Sequence, residues 1–113
     1  MQSPTPGYNS MYSTEPPTHD ELIELSGVAL LEFGAPHCQH CLAAAPFVEQ
    51  SLTQHPMPHI KVQDGKGQRL GRQFKVKLWP TIIVLNNGIE LARCVRPTTQ
   101  DELTELLSHR PAD

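Results

Sequence analysis

Between residues 28 and 33 the chain reads Val-Ala-Leu-Leu-Glu-Phe, with Gly27 and Gly34 on either side. An apolar run of this length is too short for a typical helix and predicts a strand buried on both faces, as in the middle of a parallel sheet. From Cys41 to Leu52 the pattern changes. Leu42, Ala45, Val48 and Leu52 recur at three- and four-residue spacings, which predicts a helix, and Pro46 inside it predicts a kink. Thr81–Leu85 and Ile89–Val95 read as two strands joined by Asn86-Asn87-Gly88, a turn suited to the positive φ angles of a tight hairpin. Ile60–Val62 is a brief strand, and the following segment, DGKGQRLGRQFKV, predicts a loop and a short helix ending before Leu78.

Both ends of this pattern carry helix signals. Thr18 and Glu21 have capping-box spacing ahead of Leu22, Ile23 and Leu25, so a short helix should begin at Thr18 and stop near Gly27. A last helix should start after Thr98 or Thr99, with Asp101 and Glu102 in its first turn, burying Leu103, Leu106 and Leu107; Pro111 discourages its continuation. The expected fold class is α/β, a mixed four-stranded sheet flanked by helices on both faces. Residues 1–17 carry Pro4, Pro6, Pro16 and Pro17 among small polar residues and predict a disordered N-terminal tail, leaving one domain over 18–110.

A chain of 113 residues has room for one such domain and no second. The formal net charge of −3, with no cluster of Lys or Arg, leaves no footprint for nucleic acid or an anionic membrane. No apolar run approaches the ~20 residues of a membrane helix, and the N-terminus lacks a secretory pattern, so a cytoplasmic protein is expected. Gly65, Gly67 and Gly71 are spaced GxGxxxG with no acidic residue at the ribose-binding distance, and no cofactor is expected.

The chemistry concentrates at Pro36-His37-Cys38-Gln39-His40-Cys41. There are three cysteines, Cys38, Cys41 and Cys94, too few and too odd in number for a disulfide scaffold, so the close pair reads as redox-active or metal-binding. Cys38 falls where a buried strand meets a helix, and the unpaired N–H groups there favour a thiolate over a thiol. Cys41, one turn later on the same face, is placed to attack a mixed disulfide formed on Cys38. Adjacent helical residues point in different directions, which argues against His37, Cys38, His40 and Cys41 closing on one ion; no metal is expected, with a metal-binding or protein-binding module as the alternative.

The segment LLEFGAPHCQHCLAAAP resembles the strand-to-helix segment of the thioredoxin family, and the resemblance extends over roughly residues 18–109. Six residues before Cys38 stands Glu32, where that family has a buried carboxylate, usually Asp, that helps move the proton of the second cysteine. Pro46 matches the family's helix-kinking proline, and Trp79-Pro80-Thr81 its cis-proline element, beside which a substrate strand is aligned. The resemblance implies a thioredoxin-like fold and a protein-disulfide oxidoreductase in which Cys38 is the nucleophile, Cys41 the resolving thiol and the pair a redox-active disulfide. It implies Glu32 as a catalytic carboxylate and Trp79, Pro80 and Thr81 as substrate-binding residues. The partners implied are protein disulfides or dithiols and a recycling reductase or other thiol donor, with the chain acting as a monomer.

Three positions depart from the family pattern. His37 replaces the usual tryptophan, Gln39-His40 replaces Gly-Pro, and Arg96 stands where glycine is usual, which predicts a more polar and crowded surface. His40, immediately before the second cysteine, resembles the disulfide isomerases and periplasmic oxidants. With His37 and Gln39 it is expected to tune the thiolate and make the pair more oxidising than thioredoxin. Lys61 is placed near Glu32 as a possible tuner, Cys94 reads as a half-buried structural thiol, and His55 and His59 read as surface-loop residues without a role.

Overall fold

The computed structural model describes residues 5–111. The elements run α1 (His19–Ile23), β1 (Val28–Gly34), α2 (Gln39–Gln54), β2 (His59–Gln63), α3 (Arg69–Gln73), β3 (Thr81–Asn86), β4 (Ile89–Val95) and α4 (Gln100–Leu107). The four strands form one sheet in the order β2-β1-β3-β4. β1 pairs parallel with β2 and antiparallel with β3, and β3 pairs antiparallel with β4. The sheet is therefore mixed, as the hydrophobic pattern predicts.

The continuous apolar run of β1 follows from its central place. Ala29, Leu31 and Phe33 pack with Leu22 of α1 and Leu70 of α3, together with Phe74, on one face. Leu30 packs with Val48 and Leu52 of α2 and Leu103, Leu106 and Leu107 of α4 on the other. Strand alternation sends successive side chains to opposite faces, so a strand covered on both sides has no polar face to show. β4, at the sheet edge, leaves Ile89, Leu91 and Val95 largely exposed.

The predicted capping box of α1 forms, and α4 carries a second one. The Thr18 hydroxyl accepts from Glu21 N while the Glu21 side chain accepts from Thr18 N, and Thr99 and Glu102 do the same for α4. α1 ends at Ile23, short of the expected stop near Gly27, and its Glu24 cap leads into the bend before β1. α2 begins two residues earlier than its apolar pattern shows and runs through Pro46 to Gln54. The hairpin turns as expected, with Asn87 and Gly88 both at positive φ (53° and 79°).

The N-terminal segment departs from its expected disorder. Residues 1–4 of that tail lie outside the described residues, but residues 7–13 are bonded along the free edge of β2. Gly7 N donates to Met57 O (2.9 Å), Ser13 N to Lys61 O (2.8 Å), and Gln63 N to Ser13 O (3.0 Å). The Lys61 ammonium lies 4.4 Å from the Tyr12 ring centroid and 5.5 Å from that of Tyr8. The prolines of this segment suggest an unfolded chain, but an edge strand offers a row of unpaired backbone groups and two tyrosines supply the apolar contact. With the edge covered, His59, Ile60, Lys61 and Val62 are all buried.

Gly88 is where the hairpin meets α1. A Cβ there would press on the backbone of Leu22 and Ile23, lying 2.8 Å from the Ile23 carbonyl carbon, at a φ of 79° that side chains rarely adopt. Gly88→Ala is expected to lower stability by about 1–3 kcal/mol, seen as a lower urea midpoint with an unchanged slope.

Candidate active site

β1 ends at Gly34, and the short link Ala35-Pro36-His37 delivers Cys38 to the N-cap of α2. An N-cap side chain ordinarily offers oxygen to the unpaired N–H groups of the first turn. Here sulfur takes that place: Cys41 N donates to Cys38 Sγ at 3.2 Å, and Leu42 N donates to Cys38 O at 3.0 Å. Cys38 is partly exposed and Cys41 is buried, and both are free thiols. The two sulfurs thus share one helical turn, one facing solvent and the other the interior.

A second loop closes over Cys38 from the start of β3. The Trp79–Pro80 peptide is cis, and the Cys38 thiol donates to Trp79 O at 3.9 Å. The same carbonyl accepts from Arg96 Nε at 2.8 Å, and Arg96 N donates to Pro80 O at 3.0 Å. Arg96 holds a φ of 52°, the conformation that glycine adopts most readily, and its side chain reaches the loop carbonyl. The Trp79 indole N–H donates to Asp64 Oδ2 at 2.9 Å. Asp64 fits there because residue 71 is glycine: a Cβ on Gly71 would lie 2.7 Å from the Asp64 carboxyl carbon.

Thr81 is buried, and its hydroxyl donates to Leu78 O at 2.6 Å, which braces the loop. Pro80 is also buried, while Trp79 is half-buried. His37, Gln39 and His40, next to Cys38 along the chain, are exposed, as are Leu42 and Leu78.

Behind the dithiol lies a buried polar cluster that sequence reasoning saw in part. Glu32 is 2% exposed, and its Oε1 lies 2.8 Å from His59 Nε2. Asn9 N donates to His59 Nδ1 at 3.0 Å, which leaves the ring hydrogen on Nε2 to be donated to Glu32. His59, expected in a surface loop, is therefore a buried partner of the carboxylate. The strand starts one residue before the apolar run, and His59 lies two positions from Lys61, on the same face of β2. Lys61 is Glu32's register partner, but its ammonium faces the two tyrosine rings.

Cys41 lies beside Tyr12, whose ring faces Lys61. A Cβ on Gly34 would lie 2.7 Å from the Cys41 sulfur and 2.9 Å from the Tyr12 hydroxyl, so only glycine permits their approach. Burial, and then the neighbouring Cys38, push the Cys41 thiol up to about 11, against hydrogen bonds from Ala35 and Tyr12 that pull the other way. Cys94, on β4, packs half-buried against the α2/α4 core, and burial followed by the Glu102 charge pushes it up to about 11 as well. Among the described residues no three His, Cys, Asp or Glu side chains gather as a metal ion would require, and no helix is long and apolar enough to cross a membrane.

The raised thiols carry a sign for stability. Native Cys41 and Cys94 keep their protons to about 11, whereas the unfolded chain releases them near 9.0. Above pH 9 the unfolded state binds fewer protons, so the stabilisation present below that pH is lost as pH rises through about 11. Urea denaturation of the reduced protein at stepwise pH should show that decline. Oxidation of the Cys38/Cys41 pair or Cys41→Ala should diminish it, and Cys94→Ala should remove a further part.

Comparison with known proteins agrees with this geometry. The family model described as Thioredoxin matches residues 10–109. The chain is 31% identical over 86 residues to a thioredoxin of Chlamydia trachomatis, covering 74% of this chain and 82% of that protein. It is 28% identical over 91 residues to a putative protein disulfide-isomerase of Schizosaccharomyces pombe, of which it spans only 18%. The solved structure of thioredoxin 2 from Pseudomonas aeruginosa PAO1 in its reduced form superposes with a TM-score of 0.80 at 46% identity, covering 89% of this chain and 94% of that one. With a Cys-x-x-Cys pair at a helix start, a cis-proline loop against its first sulfur and a family match across nearly the whole chain, the protein belongs to the thioredoxin family and is a protein thiol–disulfide oxidoreductase.

Proposed function

We propose that this chain exchanges disulfides with protein substrates by using Cys38 as the attacking sulfur and Cys41 as the resolving one. The observation that carries the assignment is the inequality of the two sulfurs. Cys38 is accessible and accepts the Cys41 N–H at the head of a helix, a bond that strengthens when the acceptor is charged. Cys41 is buried and held in its protonated form by that burial.

The Cys38 thiolate attacks one sulfur of a substrate disulfide. A Cys38–substrate bond forms, the substrate S–S bond breaks, and the first substrate thiolate leaves with the bonding pair. Cys41 then gives up its proton and attacks Cys38 Sγ. The Cys38–Cys41 disulfide forms and the second substrate sulfur leaves as a thiolate that takes up a proton. The substrate gains two electrons and the dithiol loses two; the reverse sequence oxidises a substrate dithiol, and relative potentials set the direction. Glu32 is the base for the Cys41 proton. What supports this is its burial behind the helix start and its fixed bond to His59, which holds an acceptor there without a neutralising cation in direct contact.

The exposed ring of His40, beside Cys41 in the first turn of α2, favours negative charge on the reduced pair. His37 and Gln39 flank the attacking sulfur on the same exposed surface and take part in that tuning. Trp79 and Pro80 align the substrate strand next to Cys38, with Thr81 bracing the loop from beneath. The partners this reading needs are protein disulfides and a recycling reductase or other thiol donor. It suits a reducing cytoplasm, in which three free cysteines persist, and a monomer suffices because both sulfurs, the carboxylate and the loop come from one chain.

Two measurements test the assignment. Cys38→Ser should reduce insulin disulfide reduction to the uncatalysed background, while Cys41→Ser should accumulate mixed disulfides with substrate; trapping by Cys38→Ser instead would reverse the roles. Redox titration should place the pair above thioredoxin's value of about −270 mV, and His40→Pro should lower it; a potential at or below that value refutes the tuning.

A further inference from the structure

We propose that Tyr12 is a positioning residue for the resolving step: its hydroxyl donates a hydrogen bond to the Cys41 sulfur and steadies the thiolate that attacks Cys38. This rests on the reading of Cys41 as the resolving thiol and adds a residue from outside the dithiol, its helix and its loop.

Three independent placements bring the hydroxyl there. Tyr12 precedes Ser13, which is bonded in both directions to β2, through Ser13 N to Lys61 O (2.8 Å) and Gln63 N to Ser13 O (3.0 Å). The Lys61 ammonium lies 4.4 Å from the Tyr12 ring centroid and holds the ring face. The hydroxyl end and the Cys41 sulfur both converge on Gly34, each within 3 Å of the point a Cβ would occupy. Glycine at 34 and tyrosine at 12 thus form one fitted contact, spanning the end of β1 and the segment laid along β2.

The chemistry needs such a donor. A thiolate forming at Cys41 is cut off from water, and beyond the Ala35 backbone N–H the groups around it offer little positive charge. Cys38 belongs to its own helix start, Glu32 on β1 offers acceptor oxygens, and His59 on β2 is committed to Glu32 and Asn9. The Lys61 ammonium is turned to the rings of Tyr8 and Tyr12. The Tyr12 hydroxyl is a neutral donor that does not lose its own proton first: burial, the Cys41 sulfur and the Glu32 charge all push it well above the ordinary phenol range. It therefore donates throughout the step, and its bond is strongest when the sulfur is charged.

The test is Tyr12→Phe, which keeps the ring over Lys61 and removes only the hydroxyl. Full-length reduced protein is mixed with a short peptide disulfide, acid-quenched at intervals and analysed by mass spectrometry, so that formation and decay of the Cys38–peptide species are timed separately. Formation should proceed at the wild-type rate and decay should slow by about threefold or more. Loss of one pKa unit's worth of stabilisation cuts the thiolate tenfold but raises its intrinsic nucleophilicity by roughly threefold. The decay rate should also climb with pH further in Tyr12→Phe than in wild type, a change that looser packing does not produce. Ser13→Pro, which loses the N–H bonded to Lys61, should slow decay in the same way.

Wild-type decay in Tyr12→Phe, with or without a defect in Ser13→Pro, overturns the role of the hydroxyl while leaving the Cys41 assignment standing. If the wild-type peptide species decays no faster than in Cys41→Ser, the assignment itself falls and the role of Tyr12 falls with it.

Discussion

The hydrogen bond from Cys41 N to Cys38 Sγ is the interaction on which the chemistry of this protein depends. It makes one sulfur both a helix cap and a reactive group. A helix start carries several N–H groups without partners, and whichever side chain caps it feels their combined dipoles. In most helices an oxygen satisfies them and nothing follows. Here the cap is an oxidisable atom left partly open to solvent, and the helix that it caps is anchored along α2 by Val48 and Leu52 in the core. The position of that sulfur is as rigid as the strand that delivers it. β1 is hydrogen-bonded on both sides and buried on both faces, so its last residue has little freedom to move.

The second sulfur lives in a different medium. Cys41 points back toward a region where the sheet would otherwise be an open edge, and the N-terminal segment closes it. That segment brings Asn9 to His59, and Tyr8 and Tyr12 to Lys61, converting a lysine, a histidine and a glutamate on adjacent strands into a buried cluster in which each has a partner. Burying a carboxylate is costly unless its oxygens are satisfied. A histidine whose other nitrogen is already occupied supplies a donor to one of them. The two sulfurs are thereby set apart, with an accessible one at a helix start and a shielded one beside the Tyr12 hydroxyl.

Much of this was legible in the residues. The strand at 28–33, the Asn-Gly hairpin and the Thr18-x-x-Glu21 capping box are local signals whose physics is complete within a few residues, and they appear where the pattern places them. The dithiol was legible because its spacing is itself the chemistry, and the cis-proline loop because Trp79-Pro80-Thr81 resembles the thioredoxin family's element. The cluster behind Cys41 was not, because its contacts are long-range: Asn9 meets His59 across 50 positions, and Glu32 meets His59 across 27. Prolines at 4, 6, 16 and 17 argued for disorder, and nothing local showed that an open strand edge would order the tyrosines between them. The family motif marks the loop at Thr81 but not which of its side chains face inward, and the inward bond of that hydroxyl to Leu78 O was not legible either.

The central claim is that the two sulfurs of one helical turn are chemically unequal because of where the fold puts them. The most direct test is competitive alkylation of the fully reduced native protein at neutral pH with less than one equivalent of iodoacetamide, followed by peptide mapping. The account predicts that nearly all of the label falls on Cys38, with Cys41 and Cys94 spared. Label spread evenly between Cys38 and Cys41, or falling first on Cys94, would contradict it.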